Sequence, residues 1–284
     1  MKNLYSIKFS DLNENEDFKE MFLALENSLK YFNIDFYLVG AIAKNVWMSA
    51  IHKQGLSRAT KDFDIAILIP TKKIFNLLKE HLINVNKFTA SSNSAFCIIW
   101  EEKYFIDLLP FGEIENEDAK VIVDGKGFVD ISVPGFFDIY KNKLTSINVG
   151  EVTSFSICSL VDIIILKLLA WNDRPEHREK DITDIGEIIY SYFEMYDDYI
   201  YDNYAYLFDD FKSDELKALS AFVIGLEIKK VLKNNNNLLL KLKNIIDNDL
   251  NSTSTLAIIM AKYFNTEIDF NIKILKNIIQ GINN

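Results

Sequence analysis

Asp62-Phe63-Asp64-Ile65-Ala66-Ile67-Leu68-Ile69 is the stretch on which the reading of this chain turns. Apolar residues alternate along it, and Pro70, which cannot donate to a strand ladder, ends it. In a strand, Phe63, Ile65, Ile67 and Ile69 take one face, and Asp62 and Asp64 project together from the other, roughly 6–7 Å apart. Two like charges at that spacing repel unless cations sit between them. Magnesium takes such oxygen ligands and completes its shell with substrate phosphates. Two such ions can clamp the attacking and leaving oxygens of an in-line displacement. Taken alone, an exposed strand start with two solvated acids reads the same way.

Upstream, Phe18, Phe22, Leu25, Leu29 and Phe32 recur at helical spacing and predict a helix over Glu16–Phe32. Phe36–Val39 reads as a short buried strand, followed at Gly40-Ala41 by a helix to Ile51. A strand–glycine–helix turn aims backbone N–H groups at an anion, and Gly40 permits close approach of a phosphate or another chain segment. An ordinary strand–helix turn has the same composition. Downstream, Thr71–Leu82 reads as a helix, and Phe96–Trp100 with Tyr104–Leu109 as a hairpin around Glu101-Glu102-Lys103. Within it Phe105, Asp107 and Leu109 share a face. An acid inside a buried strand is costly unless paired or bound to a metal. Residues 119–158 predict further short strands and a helix near Phe136.

From Ser159 the strand signals fade. Ser159-Leu160-Val161-Asp162 resembles a capping box opening a helix to about Trp171, and a second helix spans about Lys180–Phe193. Lys167 sits in the apolar run Ile163–Ala170, where an ammonium must snorkel to solvent or meet an anion. Asp181 and Asp184, three apart on the next helix, border the stripe of Ile182, Ile185 and Ile189. The helix dipole by itself also favours an acid at Asp181. Tyr196–Phe211, rich in Asp and aromatics, reads as a partly packed connector with a solvated acidic face. From Ser213 the chain is helical, interrupted at Asn234–Asn237. The expected plan is an α/β (α+β) domain over 1–193, with a mixed sheet flanked by helices, then a C-terminal helical bundle over 194–284.

The 284 residues are 49% apolar and 25% charged, with a net charge of −10. That suits a soluble globular protein and disfavours a broad grip on duplex nucleic acid, which needs a basic surface. A nucleic-acid end remains compatible through a local basic cleft. No apolar run is long enough to span a membrane. Residues 1–17 lack an apolar signal core, so the expected location is cytoplasmic. Cys97 and Cys158 form no disulfide framework, and with His52, His81 and His177 scattered, no zinc site is expected.

Gly40-Ala41, then Arg58-Ala59-Thr60-Lys61-Asp62-Phe63-Asp64, then Asp107-Leu108-Leu109-Pro110-Phe111-Gly112 resemble the AbiEii/AbiGii-type toxin nucleotidyltransferases of the polymerase-β-like superfamily. Leu166-Lys167-Leu168-Leu169-Ala170-Trp171, Arg174 and Lys180-Asp181-Ile182-Thr183-Asp184-Ile185 extend the resemblance, which covers about residues 35–193. It implies a nucleotidyltransferase fold in which Asp62, Asp64 and Asp107 hold Mg2+ or Mn2+. Gly40, Ala41, Arg58, Thr60 and Lys167 would bind a nucleoside triphosphate. Lys167, Asp181 and Asp184 would act as a catalytic unit facing the same cleft. The acceptor would be a hydroxyl on an RNA end or a protein side chain, in a toxin-like setting with a cognate antitoxin. The superfamily turn usually reads Gly-Gly or Gly-Ser, so Ala41 lacks a phosphate-binding hydroxyl, and the segment from Ala41 to Asp62 is longer than usual. A small-molecule acceptor, as in antibiotic nucleotidyltransferases, is the alternative enzyme. A nucleotide-binding or interaction module without turnover is the alternative outside enzymes.

Overall fold

The computed structural model describes residues 4–12, 16–54, 62–85, 87–212 and 214–284. They fall into two compact units, Met1–Ser159 and Leu160–Asn284. The first carries strands β1 (Leu4–Ile7), β2 (Phe36–Leu38), β3 (Asp62–Leu68), β4 (Phe88–Ala90), β5 (Cys97–Trp100), β6 (Tyr104–Phe111), β7 (Lys120–Ile122), β8 (Asp130–Ser132), β9 (Thr145–Val149) and β10 (Thr153–Ile157). Its helices are α1 (Phe9–Leu12), α2 (Glu16–Tyr31), α3 (Gly40–Asn45), which runs on into a π-helical stretch Val46–Ile51, α4 (Lys72–Val85) and α5 (Phe136–Lys141). Eight strands form one mixed sheet in the order β1-β9-β10-β2-β3-β6-β5-β4, and β7 pairs with β8. β3 lies near the middle, antiparallel to β2 and parallel to β6.

The stripe that predicts α2 is the stripe that packs. Phe18, Met21, Phe22, Leu25 and Leu29 are each at most 1% exposed. Phe18 and Phe22 meet Phe63 edge-on at centroid distances of 5.7 and 5.8 Å, a geometry favoured by the ring quadrupoles. This aromatic seal covers the Phe63-Ile65-Ile67 face of β3, so the Asp62/Asp64 face is the opposite one. The helix ends near Phe32, and the strand, turn and hairpin segments fall where the sequence places them.

The second unit is all-helical: α6 (Leu160–Asp173), a 3-10 turn Pro175–His177, α7 (Glu179–Tyr204), a 3-10 turn Ala205–Asp209, α8 (Leu216–Val231), α9 (Asn236–Leu250), α10 (Thr255–Phe264) and α11 (Ile268–Asn283). The boundary drawn from the sequence at 193/194 falls inside α7, whereas the compact units divide at Ser159/Leu160. The reason is that α6 packs on α7, α8 and α9, and α7 packs on α8 and α10. The expected connector at Tyr196–Phe211 also differs. Tyr196 leaves helical geometry (φ −133°, ψ 25°), yet the helix continues to Tyr204, because Tyr192, Ile200 and Tyr204 stay buried at helical spacing. No helix among the described residues is long and apolar enough to cross a membrane.

α8 and α11 approach backbone to backbone at Gly225 and Gly281. A Cβ on Gly225 would lie 2.9 Å from Gly281 Cα and collide with the Ile278 carbonyl. Alanine in place of a helical glycine gains about 1 kcal/mol of propensity, but overpacking costs up to about 3 kcal/mol where rigid backbone must yield. Gly225→Ala is therefore expected to lose about 2 kcal/mol net. Urea denaturation followed by circular dichroism checks it, and an unchanged or raised midpoint would contradict the packing.

Candidate active site

The pairing of β3 with β6 sets Asp64 directly beside Asp107, and Asp62 beside Phe105. In-register residues on neighbouring strands share a face with backbones about 4.8 Å apart. Asp107 therefore lies on the Asp62/Asp64 face, as the alternation in Tyr104–Leu109 predicts. Along β6, Tyr104, Ile106 and Leu108 are buried, while Phe105 is exposed and Asp107 and Leu109 are half-buried. Asp62 is exposed at the strand start and Asp64 half-buried. Three carboxylates thus occupy one open sheet face.

Gly40 is held against this row. Val39 N–H donates to the Asp64 carbonyl at 3.3 Å, and the next residue turns into the left-handed region (φ +68°) to start α3. A Cβ at Gly40 would lie 2.8 Å from Asp64 Cγ and overlap its Oδ2. Glycine is required on both counts, backbone conformation and close approach. No side chain caps the start of α3, so its leading amides, those of the Gly40-Ala41 turn, begin beside Asp64. Arg58 and Thr60 lie outside the described residues.

The hairpin brings a residue to the site that sequence reasoning missed. β5 pairs with β6 in the register Cys97↔Asp107, and Cys97 is buried. Burial pushes its thiol up to about 12, the Asp107 charge and a hydrogen bond with Asp107 push the same way, and Asp62 adds to them. At neutral pH Cys97 is therefore a protonated thiol, its Sγ–H donating to the Ile98 carbonyl at 3.7 Å, in register with Asp107. The signal was present in the sequence, since a hairpin turning at 101–103 pairs 97 with 107, but it was read only for disulfide and metal spacing.

Carboxylate oxygens suit Mg2+ or Mn2+. Among the described residues, no group of three His, Cys, Asp or Glu side chains closes on one point as a complete metal cage. An ion on this face would draw further oxygens from the substrate's phosphates or water, as magnesium characteristically does.

In the second unit, Lys167 does not snorkel. Its Nζ lies 2.7 Å from Asp181 Oδ1 and 2.7 Å from Asp184 Oδ2. Lys167 and Asp181 are both 9% exposed. The Asp181 carboxylate also meets Arg178 at 3.4 Å. Burial pulls the Lys167 ammonium down and is the largest single influence, but the charges and hydrogen bonds of Asp181 and Asp184 together outweigh it and hold the pKa above its ordinary 10.5. The fold brings these three residues together as the sequence reading expected.

No family model matches the chain, and no curated protein matches it. Among solved structures, the antibiotic-resistance factor ANT(2'')-Ia resembles it at 10% identity and a TM-score of 0.34, over 55% of this chain and 72% of that one. An overlap of that quality decides neither fold nor activity, which rest on the residues themselves.

Removing one partner from a buried ion cluster costs about 3–5 kcal/mol, because it strands the remaining charge. Lys167→Met leaves two acids facing each other and is expected to destabilise by that amount. Lys167→Met combined with Asp181→Asn and Asp184→Asn is expected to be more stable than the single variant, and equal melting midpoints would contradict the cluster. The pH dependence follows from the raised lysine pKa. The contribution is complete below 10.5, the ordinary lysine value, and is lost as pH rises through the higher folded value. Wild type is expected to lose stability above pH 10.5 more steeply than the triple variant, as denaturant titrations at pH 9 and 11 would show.

Proposed function

We propose that the protein is a nucleotidyltransferase that moves a nucleoside monophosphate from a nucleoside triphosphate to an acceptor hydroxyl. The observation that carries this reading is the Asp64↔Asp107 register pair with Asp62 on the same open face and Gly40 against Asp64. Asp62, Asp64 and Asp107 would hold Mg2+ or Mn2+, which, when bound, neutralises phosphate oxygens and favours in-line displacement in a two-ion arrangement. The amides of Gly40 and Ala41, with Arg58 and Thr60, would orient the triphosphate. The acceptor oxygen attacks the α-phosphorus, the bond between α-phosphorus and the bridging oxygen breaks, and pyrophosphate leaves. Asp107 would also help to take the acceptor's proton. Such catalysis is mainly positioning and electrostatics.

The resemblance to AbiEii/AbiGii-type toxins supports an acceptor on RNA or protein, a toxin-like effect on the host cell and an antitoxin partner. A nucleotide-binding module without turnover is the second reading, favoured by Ala41, which offers no hydroxyl to a phosphate.

Incubating radiolabelled nucleoside triphosphates and Mg2+ with total RNA and total protein is expected to label one of the two. Asp64→Asn and Asp107→Asn are expected to abolish labelling, with Asp64→Asn as stable as wild type or slightly more so, through relief of like-charge repulsion. Gly40→Ala is expected to fold but lose at least about tenfold in transfer, since it displaces a carboxylate that must be placed within a fraction of an ångström. Labelling by Asp64→Asn at the wild-type rate would sink the proposal, and nucleotide binding without labelling would favour the silent module. Growth arrest on expression, relieved by Asp64→Asn, tests the toxin-like role.

A further inference from the structure

Phe105 is 41% exposed in the middle of a sheet whose neighbouring positions Tyr104 and Ile106 are 2% and 0% exposed. Leaving a phenylalanine largely in water forgoes much of the stabilisation that its burial would bring. Its place in the register is specific. Ile99, half-buried, pairs with Phe105 on one side, and Asp62 pairs with it on the other. The adjoining row on the same face is Cys97, Asp107 and Asp64. The face is therefore divided. An apolar shelf of Ile99 and Phe105 lies one same-face step, roughly 6–7 Å, along the strands from the paired carboxylates.

A ligand that suits both halves has an anionic end, held near the carboxylates through cations, and a flat apolar ring a short distance away. A nucleoside triphosphate has that construction, with the sugar spanning the gap. We propose that Phe105, backed by Ile99, is the stacking shelf for the nucleobase. The inference rests on the carboxylate face being the nucleotide site and adds to it the residue that grips the base. Every base presents a π-face, so stacking on a lone ring tolerates purines and pyrimidines alike. The shelf thus gives affinity for nucleosides over bare phosphates, without strong choice among bases.

The test measures equilibrium affinity of the full chain, with Mg2+, for ATP, CTP and inorganic triphosphate. Phe105→Ala is expected to weaken ATP and CTP about 5- to 100-fold, the range for loss of one base–aromatic stack, and to leave inorganic triphosphate unchanged. Phe105→Leu keeps apolar bulk without the ring and is expected to show the same pattern, which guards against misfolding in the alanine variant. Phe105→Trp is expected to retain affinity, and its fluorescence to quench on adding ATP. Equal weakening of nucleotides and inorganic triphosphate, or no change in either, would overturn the shelf and leave the nucleotidyltransferase reading standing. A raised acceptor KM with unchanged ATP affinity would assign Phe105 to the acceptor and also overturn it. A wild-type chain that binds none of the three ligands would overturn both readings.

Discussion

The parallel pairing of β3 with β6 is the constraint on which the site depends. Its register sets Asp64 beside Asp107 and Asp62 beside Phe105. A slip of one residue would turn Asp107 into the core and Ile106 out to solvent. The register is held from behind, where Phe63 lies under Phe18 and Phe22, and Tyr104 packs on Phe18 at 5.6 Å. Burying those rings commits one face of each strand to the core and so commits the other to carboxylates. Gly40 depends on the same arrangement, because its close approach to Asp64 exists only when β2 and β3 are paired.

The two units handle acidic groups in opposite ways. In the sheet unit, Asp62, Asp64 and Asp107 stand on an open face, where solvent moderates their repulsion and cations can enter. In the helical unit, Asp181 lies buried and Asp184 half-buried, both tied to one ammonium at 2.7 Å. Asp249 shows a third solution, since its carboxylate accepts from the amides of Thr255 and Leu256 at the start of α10, which satisfies helix-end donors and accounts for its burial without a ligand. A buried ion cluster adds little to stability compared with apolar side chains of similar volume.

Much of this was legible along the chain because periodicity survives folding. The alternation in Asp62–Ile69 and Tyr104–Leu109, the stripe Phe18–Phe22–Leu25–Leu29, and the isolation of Lys167 each follow from which side chains tolerate water. Tyr196–Phe211 misled because five acids and a run of tyrosines look like a connector, while Tyr192, Ile200 and Tyr204 continue the helix into the core, and Tyr199 and Tyr204 donate to Glu227 on α8. The boundary at 193/194 failed to match the compact units for a related reason. α6 carries apolar residues on nearly all sides, so its sequence shows that it is buried without showing which helices bury it.

The sequence by itself determined which residues share a face, where strands give way to helices, and which charged groups sit in apolar surroundings. These are local properties, set by the period of 2 or 3.6 and by the free energy of exposing apolar surface. Only the tertiary structure decided that Asp64 stands beside Asp107, that Cys97 pairs in register with that same residue, that Gly40 lies against Asp64, and that Lys167 meets both Asp181 and Asp184. Each of those contacts joins residues distant in the chain through strand register or helix packing, and register is chosen by the burial of whole faces, a sum over many side chains that no single segment contains.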